Sequence, residues 1–559
     1  MRVLLIVSAL NGLSQRALCA LRGAGHDVVN VVVAGNETTM IEKVRGADPD
    51  IIICPYLKNR VPAAIWQRWP TIIIHPGPVG DRGPSSLDWA ITDNEPVWGV
   101  TALQAVADMD AGPIWATRTF PMPADPPRKS SLYNGPVADA AIACILEVLD
   151  HAADPQFVPT PLDQARRTVS GTRLRPLMRQ VDRAFDWDEP GEHILRHIRA
   201  ADGAPGVRTT IAGQHLYVYN ADLVDVVHRT RPGTILGRND DAVLIAAGDG
   251  TGIWIGHAKA TTDQAPDAIK LPAVDVLGAD LLDRVPRLAG PARIRYIRHS
   301  PKVGELTFDI YNGAFSPNWS RRLAAALRRA LAQDTHVLIV SGSTDAYSNG
   351  IDLNHIHAAD NPQLAAWASI RAINAVCRTL ATDARRITIA AITGNAGAGG
   401  AMLPLSADTV VARHGVVLNP YYNIGLSGSE LHSMVLPARV GPAVARRLLT
   451  SLQPVDVDQA LRLGLIDHAG PRDPGTFNEW VLEVAAHAAA GNNWASTIDG
   501  KRTRASNRRS EIAYAEAVEL GKMARDIFRD HLAFAASRTN FVHKRRGGQA
   551  PQAIASHRS

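Results

Sequence analysis

Short, mostly apolar runs alternate with helical patterns from Arg2 to about Leu162, and this alternation is the strongest constraint on the fold. Nearly continuous apolar runs indicate strands covered on both faces, as in a buried parallel sheet. Strands that alternate with helices then predict a doubly wound α/β fold for this part of the chain. The predicted strands are Val3–Val7, Val28–Val33, Ile51–Ile53 and Thr71–Ile74.

A histidine, His75, stands directly after the last of these strands, and a loop rich in proline and glycine follows it at residues 76–84. In doubly wound sheets, ligands bind beyond the carboxyl ends of the strands. We therefore expect His75 to lie in the ligand-binding region at this edge of the sheet, where a catalytic side chain could act. On this pattern alone a second interpretation stays open, in which the histidine only caps the strand.

Later residues change pattern, as expected for a chain of 559 residues, which exceeds what one core usually supports. A helix pattern at Gly191–Ala200 precedes strand and turn signals at 213–219 and 233–236 that suggest a small β-barrel. From Pro291, predicted strands at Glu305–Ile310 and His336–Val340 flank a leucine-lined helix and indicate a second α/β unit. The predicted segments are an α/β domain at 1–165, a β-barrel at 166–290, an α/β domain at 291–500, and a helical extension with a tail at 501–559.

Composition excludes several classes of protein. With 46% hydrophobic and 20% charged residues, the chain has no apolar run near the roughly 18 residues of a membrane span. Its four cysteines are scattered without a CxxC pair, which predicts neither disulfides nor a metal site and favours the cytoplasm. A net charge of +5 is small for this length, so no nucleic-acid partner is expected. Basic clusters at 501–509 and 544–546 are interpreted as solvated helix ends, with contact to cofactor phosphates as the alternative.

Two further motifs look like parts of active sites. Near His75 in the sequence lies Asp110, within Met109-Asp110-Ala111-Gly112-Pro113. Far downstream, Ser348-Asn349-Gly350-Ile351-Asp352 precedes the glycine-rich run Gly397-Ala398-Gly399-Gly400. Glycines let a backbone approach a ligand closely, although a glycine-rich run by itself is equally typical of a turn.

These motifs carry a resemblance to known families. The first 290 or so residues, including Asp182–Trp187 and Ile198–Ala200, resemble formyltransferases that use 10-formyltetrahydrofolate, with their auxiliary barrel. The remainder resembles the crotonase (enoyl-CoA hydratase/isomerase) superfamily. Their order in one chain, together with Leu418–Tyr422 and Gly428–Glu430, is similar to the HypX/HoxX family of nickel-iron hydrogenase maturation proteins. This resemblance implies a folate domain at 1–165, a formyltransferase C-terminal-like barrel at 166–290 and a CoA domain at 291–500.

For the first site, the formyltransferase resemblance implies that His75 and Asp110 are catalytic. The neighbouring Asp108 is the weaker candidate for the carboxylate, because the Asp-x-Gly-Pro context belongs to Asp110. Formyltransferases carry an asparagine two residues before the histidine, where this chain has Ile73. One oxyanion donor is therefore missing from its usual place, so either another amide substitutes for it or the nucleophile is good enough without it, as a thiol would be. Candidate cofactor-binding residues are Asn11, Gly12 and Gly77.

For the second site, the crotonase resemblance implies an oxyanion hole made of the backbone amides of Ile351 and Gly399. Gly350, Gly397 and Gly400 are the candidate CoA-binding positions. The two glutamates with which hydratases activate water are replaced here by Met402 and Tyr421, so hydration is not expected. Tyr421, Tyr422 and Glu430 are the candidates for moving a proton. Glu430 has an alternative interpretation as a carboxylate that caps the start of a helix.

The predicted function is synthesis of the carbon monoxide ligand of the hydrogenase iron. The family implies that a formyl group passes from 10-formyltetrahydrofolate to coenzyme A, and that formyl-CoA is then decarbonylated without a metal. Two alternatives remain at this stage: a formyltransferase that acts on an amine and carries an acyl-CoA-binding module, and a noncatalytic maturation scaffold. Folate and CoA are the expected small-molecule partners, the hydrogenase large subunit or its maturation complex is the candidate protein partner, and no membrane partner is expected.

Overall fold

The computed structural model describes residues 1–226, 228–263, 265–419 and 424–545. The chain divides into two compact units, Met1–Pro291 and Ala292–Ser559. The tail predicted to begin at Gly547 lies outside the described residues.

The first part of unit 1 is the predicted doubly wound domain. Its six-stranded sheet has the order β2-β1-β3-β4-β5-β6, in which β1 to β4 are parallel and β5 and β6 are antiparallel additions. All four predicted strands are confirmed, and each of them extends beyond its predicted run because strand pairing, not hydrophobicity, sets where it ends. The strands are β1 (Arg2–Val7), β2 (Asp27–Val33), β3 (Ile51–Tyr56), β4 (Thr71–His75), β5 (Val97–Gln104) and β6 (Ile114–Pro121).

Helices pack on this sheet and join it to the following domain. They are α1 (Gly12–Gly23), α2 (Glu37–Ala47), α3 (Ala63–Trp66), α4 (Ser86–Thr92), α5 (Lys129–Leu132) and α6 (Ala138–Ala153), with a π-helical turn at Tyr133–Val137. The stretch Lys129–Ala153 is long and apolar enough to cross a membrane by length and composition. However, 56% of its most apolar window is buried, and α6 packs against β5, β6 and α1. It is therefore a core helix of unit 1.

The second part of unit 1 is built on an antiparallel sheet of order β7-β8-β11-β10-β9, with β12 beside β11. Its helix α8 has the predicted bounds and buries Ile194, Leu195 and Ile198 against the sheet. The elements are α7 (Gln180–Arg183), α8 (Gly191–Ala200), β7 (Val207–Ile211), β8 (Gln214–Val224), β9 (Ile235–Arg238), β10 (Val243–Ala246), β11 (Gly252–Ala260), β12 (Leu271–Pro272), α9 (Ala273–Leu277) and α10 (Ala279–Leu282).

Unit 2 contains a six-stranded sheet of order β13-β14-β15-β16-β18-β21 and a small sheet of order β17-β19-β20. The strands are β13 (Ile294–Arg298), β14 (Val303–Phe308), β15 (Val337–Ser341), β16 (Ile387–Ile392), β17 (Ala396–Gly397), β18 (Thr409–Arg413), β19 (Val417–Asn419), β20 (Val455–Asp456) and β21 (His468–Gly470). The strand predicted at Glu305–Ile310 is wrong by two residues at each end. Its true bounds follow from pairing with β13 and β15, which no local pattern records.

Helices cover this sheet, and the longest of them lies in the predicted C-terminal extension. Leu323, Leu327 and Leu331 are buried along one face of the helix at 317–331, as predicted. The helices are α11 (Pro317–Leu331), α12 (Leu353–Ala358), α13 (Pro362–Ala381), α14 (Gly399–Met402), α15 (His432–Val440), α16 (Pro442–Ser451), α17 (Val457–Arg462), α18 (Pro474–Ala488), α19 (Gly491–Phe528) and α20 (Phe534–Val542), with 3₁₀ turns at Tyr311–Gly313 and Leu403–Ser406.

Candidate active sites

The first site forms around His75, the last residue of β4, at the carboxyl edge of the sheet. The imidazole is buried between two carboxylates. Its Nε2 lies 2.9 Å from Asp81 Oδ2, and its Nδ1 lies 3.6 Å from Asp110 Oδ1. Both ring nitrogens thus have a carboxylate neighbour. A histidine that only capped the strand would not require this arrangement.

The loop after β4 has to pass very close to this constellation. A Cβ placed on Gly77 would be 2.3 Å from Asp81 Oδ2 and 2.6 Å from His75 Nε2, so only glycine fits there. The loop is fixed from the core, because the Trp98 Nε1–H donates to the carbonyl of Pro76 at 3.0 Å. Gly77, a candidate cofactor-binding residue from the sequence, therefore gives His75 and Asp81 the room to meet.

Asp110 reaches His75 from the turn before β6. Its backbone is left-handed, with φ of +54°, and its Oδ2 accepts the N–H of Gly83 at 3.1 Å. The glycine of Asp-x-Gly-Pro is also required, because a Cβ on Gly112 would be 1.8 Å from the carbonyl oxygen of Gln104. Asp108 is exposed. Of the two aspartates, the structure brings Asp110 to the histidine.

The charge state of His75 follows from its neighbours. Burial by itself would lower its pKa, but the hydrogen bond to Asp81 and the charges of Asp110 and Asp81 outweigh burial and raise the pKa above the ordinary value. The ring therefore keeps its positive charge to a higher pH than an ordinary histidine does. A fixed cationic donor of this kind can stabilise an oxyanion that forms beside it.

Ile73, two residues earlier on the same strand, packs into an apolar cluster with residues such as Ile52.

Asn11 and Gly12 lie at the same edge of the sheet, where β1 leads into α1. Asn11 caps α1, since its Oδ1 accepts the N–H of Ser14 at 2.9 Å, and its Nδ2 donates to the Tyr133 hydroxyl at 3.2 Å. The rings of Tyr133 and Tyr56 meet edge to face, with centroids 6.2 Å apart. Aromatic rings and polar groups therefore lie near the carboxyl ends of β1 and β3. These two strands belong to the same parallel set as β4, which ends at His75.

The second site lies in unit 2, between the segments at 348–351 and 396–400. Phe315 forms a parallel bridge with Ile351, in which the Phe315 N–H donates to Gly350 and the Asp352 N–H donates to Phe315. In this pattern the N–H of Ile351 itself points away from Phe315. Gly350 has a φ of +81°, which makes glycine the natural residue at this bend.

Gly399 approaches this bend closely. Its backbone nitrogen lies 3.4 Å from the position that a Cβ on Gly350 would occupy. Gly397 continues the contact, since its N–H donates to the carbonyl of Ser348 at 2.8 Å, and a Cβ on Gly400 would be 2.2 Å from that same carbonyl oxygen. Backbone contacts thus hold the two segments side by side. An oxyanion hole made of the amides of Ile351 and Gly399 requires this proximity.

Glu430 turns its carboxyl group into this region. A Cβ on Gly399 would lie 2.3 Å from Glu430 Oε1, so the carboxyl packs directly on the glycine backbone. Glu430 is 3% exposed, and burial raises its pKa from 4.5 to about 7, with the charge of Glu519 adding to the effect and contacts with Ser429 opposing it. A carboxyl group with this pKa can both accept and return a proton near neutrality.

The structure also decides which residue caps α15. The N–H groups of Leu431 and Ser433 donate to Glu519, at 3.0 and 2.7 Å. Glu430 and Leu431 both have left-handed backbone, at φ of +62° and +60°, which costs about 1–2 kcal/mol per residue outside glycine. The helix-start interpretation of Glu430 is therefore wrong, because Glu519 from α19 has that role.

Other residues named from the sequence lie in the apolar core or outside the described residues. Met402 is wholly buried in the apolar core of unit 2. Tyr421 and Tyr422 lie outside the described residues. Sequence reasoning missed Asp81 and Glu519. Asp81 had a weak signal, as an acidic residue six positions after His75 in the same loop, whereas Glu519 is distant from Glu430 in sequence and had none.

Comparisons with known proteins agree with this architecture. Residues 301–548 match the family model for enoyl-CoA hydratase/isomerase, and residues 177–269 match that for the formyl transferase C-terminal domain. A methionyl-tRNA formyltransferase of Roseiflexus castenholzii is 36% identical over 169 residues, which cover 30% of this chain and 52% of the relative. The chain is therefore a fusion of a formyltransferase-like half and a crotonase-like half.

Two relatives share the whole fusion. The hydrogenase maturation factor HoxX of Bradyrhizobium diazoefficiens is 35% identical over 100% of this chain and 97% of its own length. The crystal structure of HypX from Aquifex aeolicus in complex with tetrahydrofolic acid is 34% identical, has a TM-score of 0.94, and covers 100% of this chain and 99% of that one. This chain belongs to the HypX/HoxX family of hydrogenase maturation proteins.

Proposed function

We propose that this protein makes carbon monoxide for the iron centre of nickel-iron hydrogenase, in two steps. A formyl group first passes from 10-formyltetrahydrofolate to the thiol of coenzyme A, and formyl-CoA is then split into carbon monoxide and coenzyme A. Membership of the HypX/HoxX family supports the maturation role, and the tetrahydrofolic acid complex of the Aquifex aeolicus relative supports the folate donor.

In the first step, the CoA thiolate attacks the formyl carbon, a C–S bond forms, and the C–N bond to the folate breaks. The thiol proton ends on the folate nitrogen. The imidazolium of His75 stabilises the oxyanion on the formyl group, while Asp110 and Asp81 hold the ring. With a reference pKa of about 8.5, a thiol is partly ionised near neutrality, so it needs less assistance than an amine. Asn11, Gly12 and the two neighbouring tyrosines are the proposed contacts of the folate.

In the second step, the amides of Ile351 and Gly399 bind the formyl oxygen. Glu430 removes the formyl proton as the C–S bond breaks, which releases carbon monoxide, and then returns the proton to the departing thiolate. Atoms and charge balance without any further reactant. The contact of the Glu430 carboxyl with Gly399 is the observation that supports the proposal, because a group able to exchange protons near pH 7 would then lie beside the proposed oxyanion hole. Tyr421 or Tyr422 is proposed to assist.

One incubation separates this proposal from its alternatives. The protein is mixed anaerobically with 10-formyltetrahydrofolate and coenzyme A, and carbon monoxide is detected by its effect on the spectrum of haemoglobin. We expect gas that depends on both substrates. A formyltransferase acting on an amine would form a formyl-amide and no gas, and a scaffold would turn over neither substrate. Glu430→Gln should accumulate formyl-CoA without releasing gas.

The proposed compartment is the cytoplasm. All four cysteines lie among the described residues, are buried and form no disulfide with one another, which fits a reducing environment. The proposed protein partner is the hydrogenase large subunit or its maturation complex, which would receive the gas. Co-purification of the two from cells that express both, compared with cells that lack the large subunit, tests this pairing.

A further inference from the structure

The turn that carries Glu430 is held by side chains from two separate helices. Glu430 and Leu431 adopt consecutive left-handed conformations, which non-glycine residues keep only where their surroundings impose them. Asn374 of α13 accepts the N–H of Glu430 at 2.9 Å, and Glu519 of α19 accepts the N–H of Leu431 at 3.0 Å. Both strained residues are therefore fixed through their own backbone by buried side chains.

Helix α19 holds this turn on both sides. Beyond Leu431, Glu519 Oε1 accepts the N–H of Ser433 at 2.7 Å and lies 3.2 Å from His432 Nδ1. Before Glu430, Asp526 Oδ2 accepts the N–H of Ser427 at 2.8 Å. The Glu519 carboxylate is buried and uses both of its oxygens on this turn. Its capping of α15 leaves the carboxyl of Glu430 free to pack on Gly399.

We propose that Glu519 is a positioning residue of the second site, which holds the turn at 430–431 so that the Glu430 carboxyl lies against Gly399. This inference rests on the role given to Glu430 in the proposed function. Glu519 does not touch the reacting atoms in this arrangement. It acts through the backbone on either side of His432 and through its charge.

The groups that face Glu430 show what that charge does. Gly399 of α14 and Asn374 of α13 are uncharged. The Cys377 thiol of α13 stays neutral, because burial and the charge of Glu430 raise its pKa well above the ordinary value. Glu519, with His432 beside it, is the neighbour that favours the protonated form of Glu430, and it adds to the effect of burial on the Glu430 pKa. Position and charge therefore make separate, measurable contributions.

Two substitutions at Glu519 separate these contributions. Glu519→Gln removes the charge and leaves one acceptor oxygen for the two backbone N–H groups of Leu431 and Ser433, so it also loosens the turn. Without the charge, Glu430 should titrate at lower pH, and the rise of carbon monoxide release with pH should move the same way. Glu519→Asp keeps the charge and withdraws the carboxylate by one methylene. It should slow gas release by about 10²-fold, as a misplacement of about 1 Å can, while formyl-CoA formation stays at the parental rate. The matched control is Glu511→Gln, at an exposed position of the same helix, which should change neither property.

The titration of Glu430 is read directly from its infrared carboxyl band, identified by its loss in Glu430→Gln. Thermal unfolding first establishes that each variant is folded, and if Glu519→Gln does not fold, Glu519→Asp decides the positioning role. The inference would be overturned if the folded Glu519 variants matched the parent both in the titration of Glu430 and in the rate of gas release. If the parent releases no gas but the carboxyl band of Glu430 titrates at lower pH in Glu519→Gln, the proposed function fails, and only the effect of the Glu519 charge on Glu430 stands.

Discussion

Glu430→Gln should stabilise the protein as well as stop gas release, because the folded state holds Glu430 in a site that disfavours its charge. Burial raises the pKa of Glu430 from 4.5 to about 7, so the folded chain binds this proton more tightly than the unfolded chain does. The stability from this group is fully present below pH 4.5, falls as pH rises, and is lost above about pH 7. At about 1.4 kcal/mol for each pH unit between the two values, the loss is about 3 kcal/mol.

Glutamine resembles the protonated carboxyl in shape and carries no charge at any pH. The free energy of unfolding of Glu430→Gln should therefore exceed that of the parent by about 1 kcal/mol at pH 5 and about 3 kcal/mol at pH 8. For unit 2, with roughly 270 residues, the larger value corresponds to about 5 °C in the temperature of unfolding. Scanning calorimetry at both pH values measures this difference.

Glu479→Gln is the matched control, because Glu479 is exposed on α18. Removal of a surface charge there should change stability by no more than about 0.5 kcal/mol at either pH. The reasoning is refuted if the difference between Glu430→Gln and the parent is the same at pH 5 and pH 8. That result would mean that folding does not raise the pKa of Glu430.

Three further predictions concern the first site. His75→Ala or Asp110→Asn should slow folate-dependent formyl transfer by at least about 10²-fold while folate binding, measured by calorimetry on the same protein, is retained; undiminished transfer would remove this site from the mechanism. Asp81→Asn takes away the hydrogen-bonded carboxylate that raises the His75 pKa, so the pH at which transfer declines on the alkaline side should fall, and an unchanged pH profile would exclude Asp81 from this role. Ile73→Asn should lower the free energy of unfolding by up to about 1–3 kcal/mol by placing an amide in an apolar cluster; a folded variant with unchanged preference for thiol over amine acceptors would show that Ile73 does not select the acceptor.

The first site could be largely foreseen because its parts are local. His75 ends a strand built on three consecutive isoleucines, and the carboxyl end of such a buried strand is where ligands bind. Asp110 lies in a motif whose glycine is required by the close approach of the Gln104 carbonyl. Asp81 was missed because aspartate is common in loops, and only the folded loop shows that it reaches Nε2 of His75 at 2.9 Å.

The sequence by itself determined the α/β class, the four parallel strands of unit 1, the fused order of the two halves and the glycines where backbone must approach backbone. Those features depend on residues close together in the chain. Strand ends in unit 2 and the chemistry of Glu430 were decided by tertiary structure. Sequence left Glu430 as a catalytic group or a helix cap, and the cap at the start of α15 comes instead from Glu519, a residue 89 positions away that packs beside it only in the folded chain. Burial and charge are properties of such packing, and so the pKa that suits Glu430 to proton transfer exists only in the folded protein.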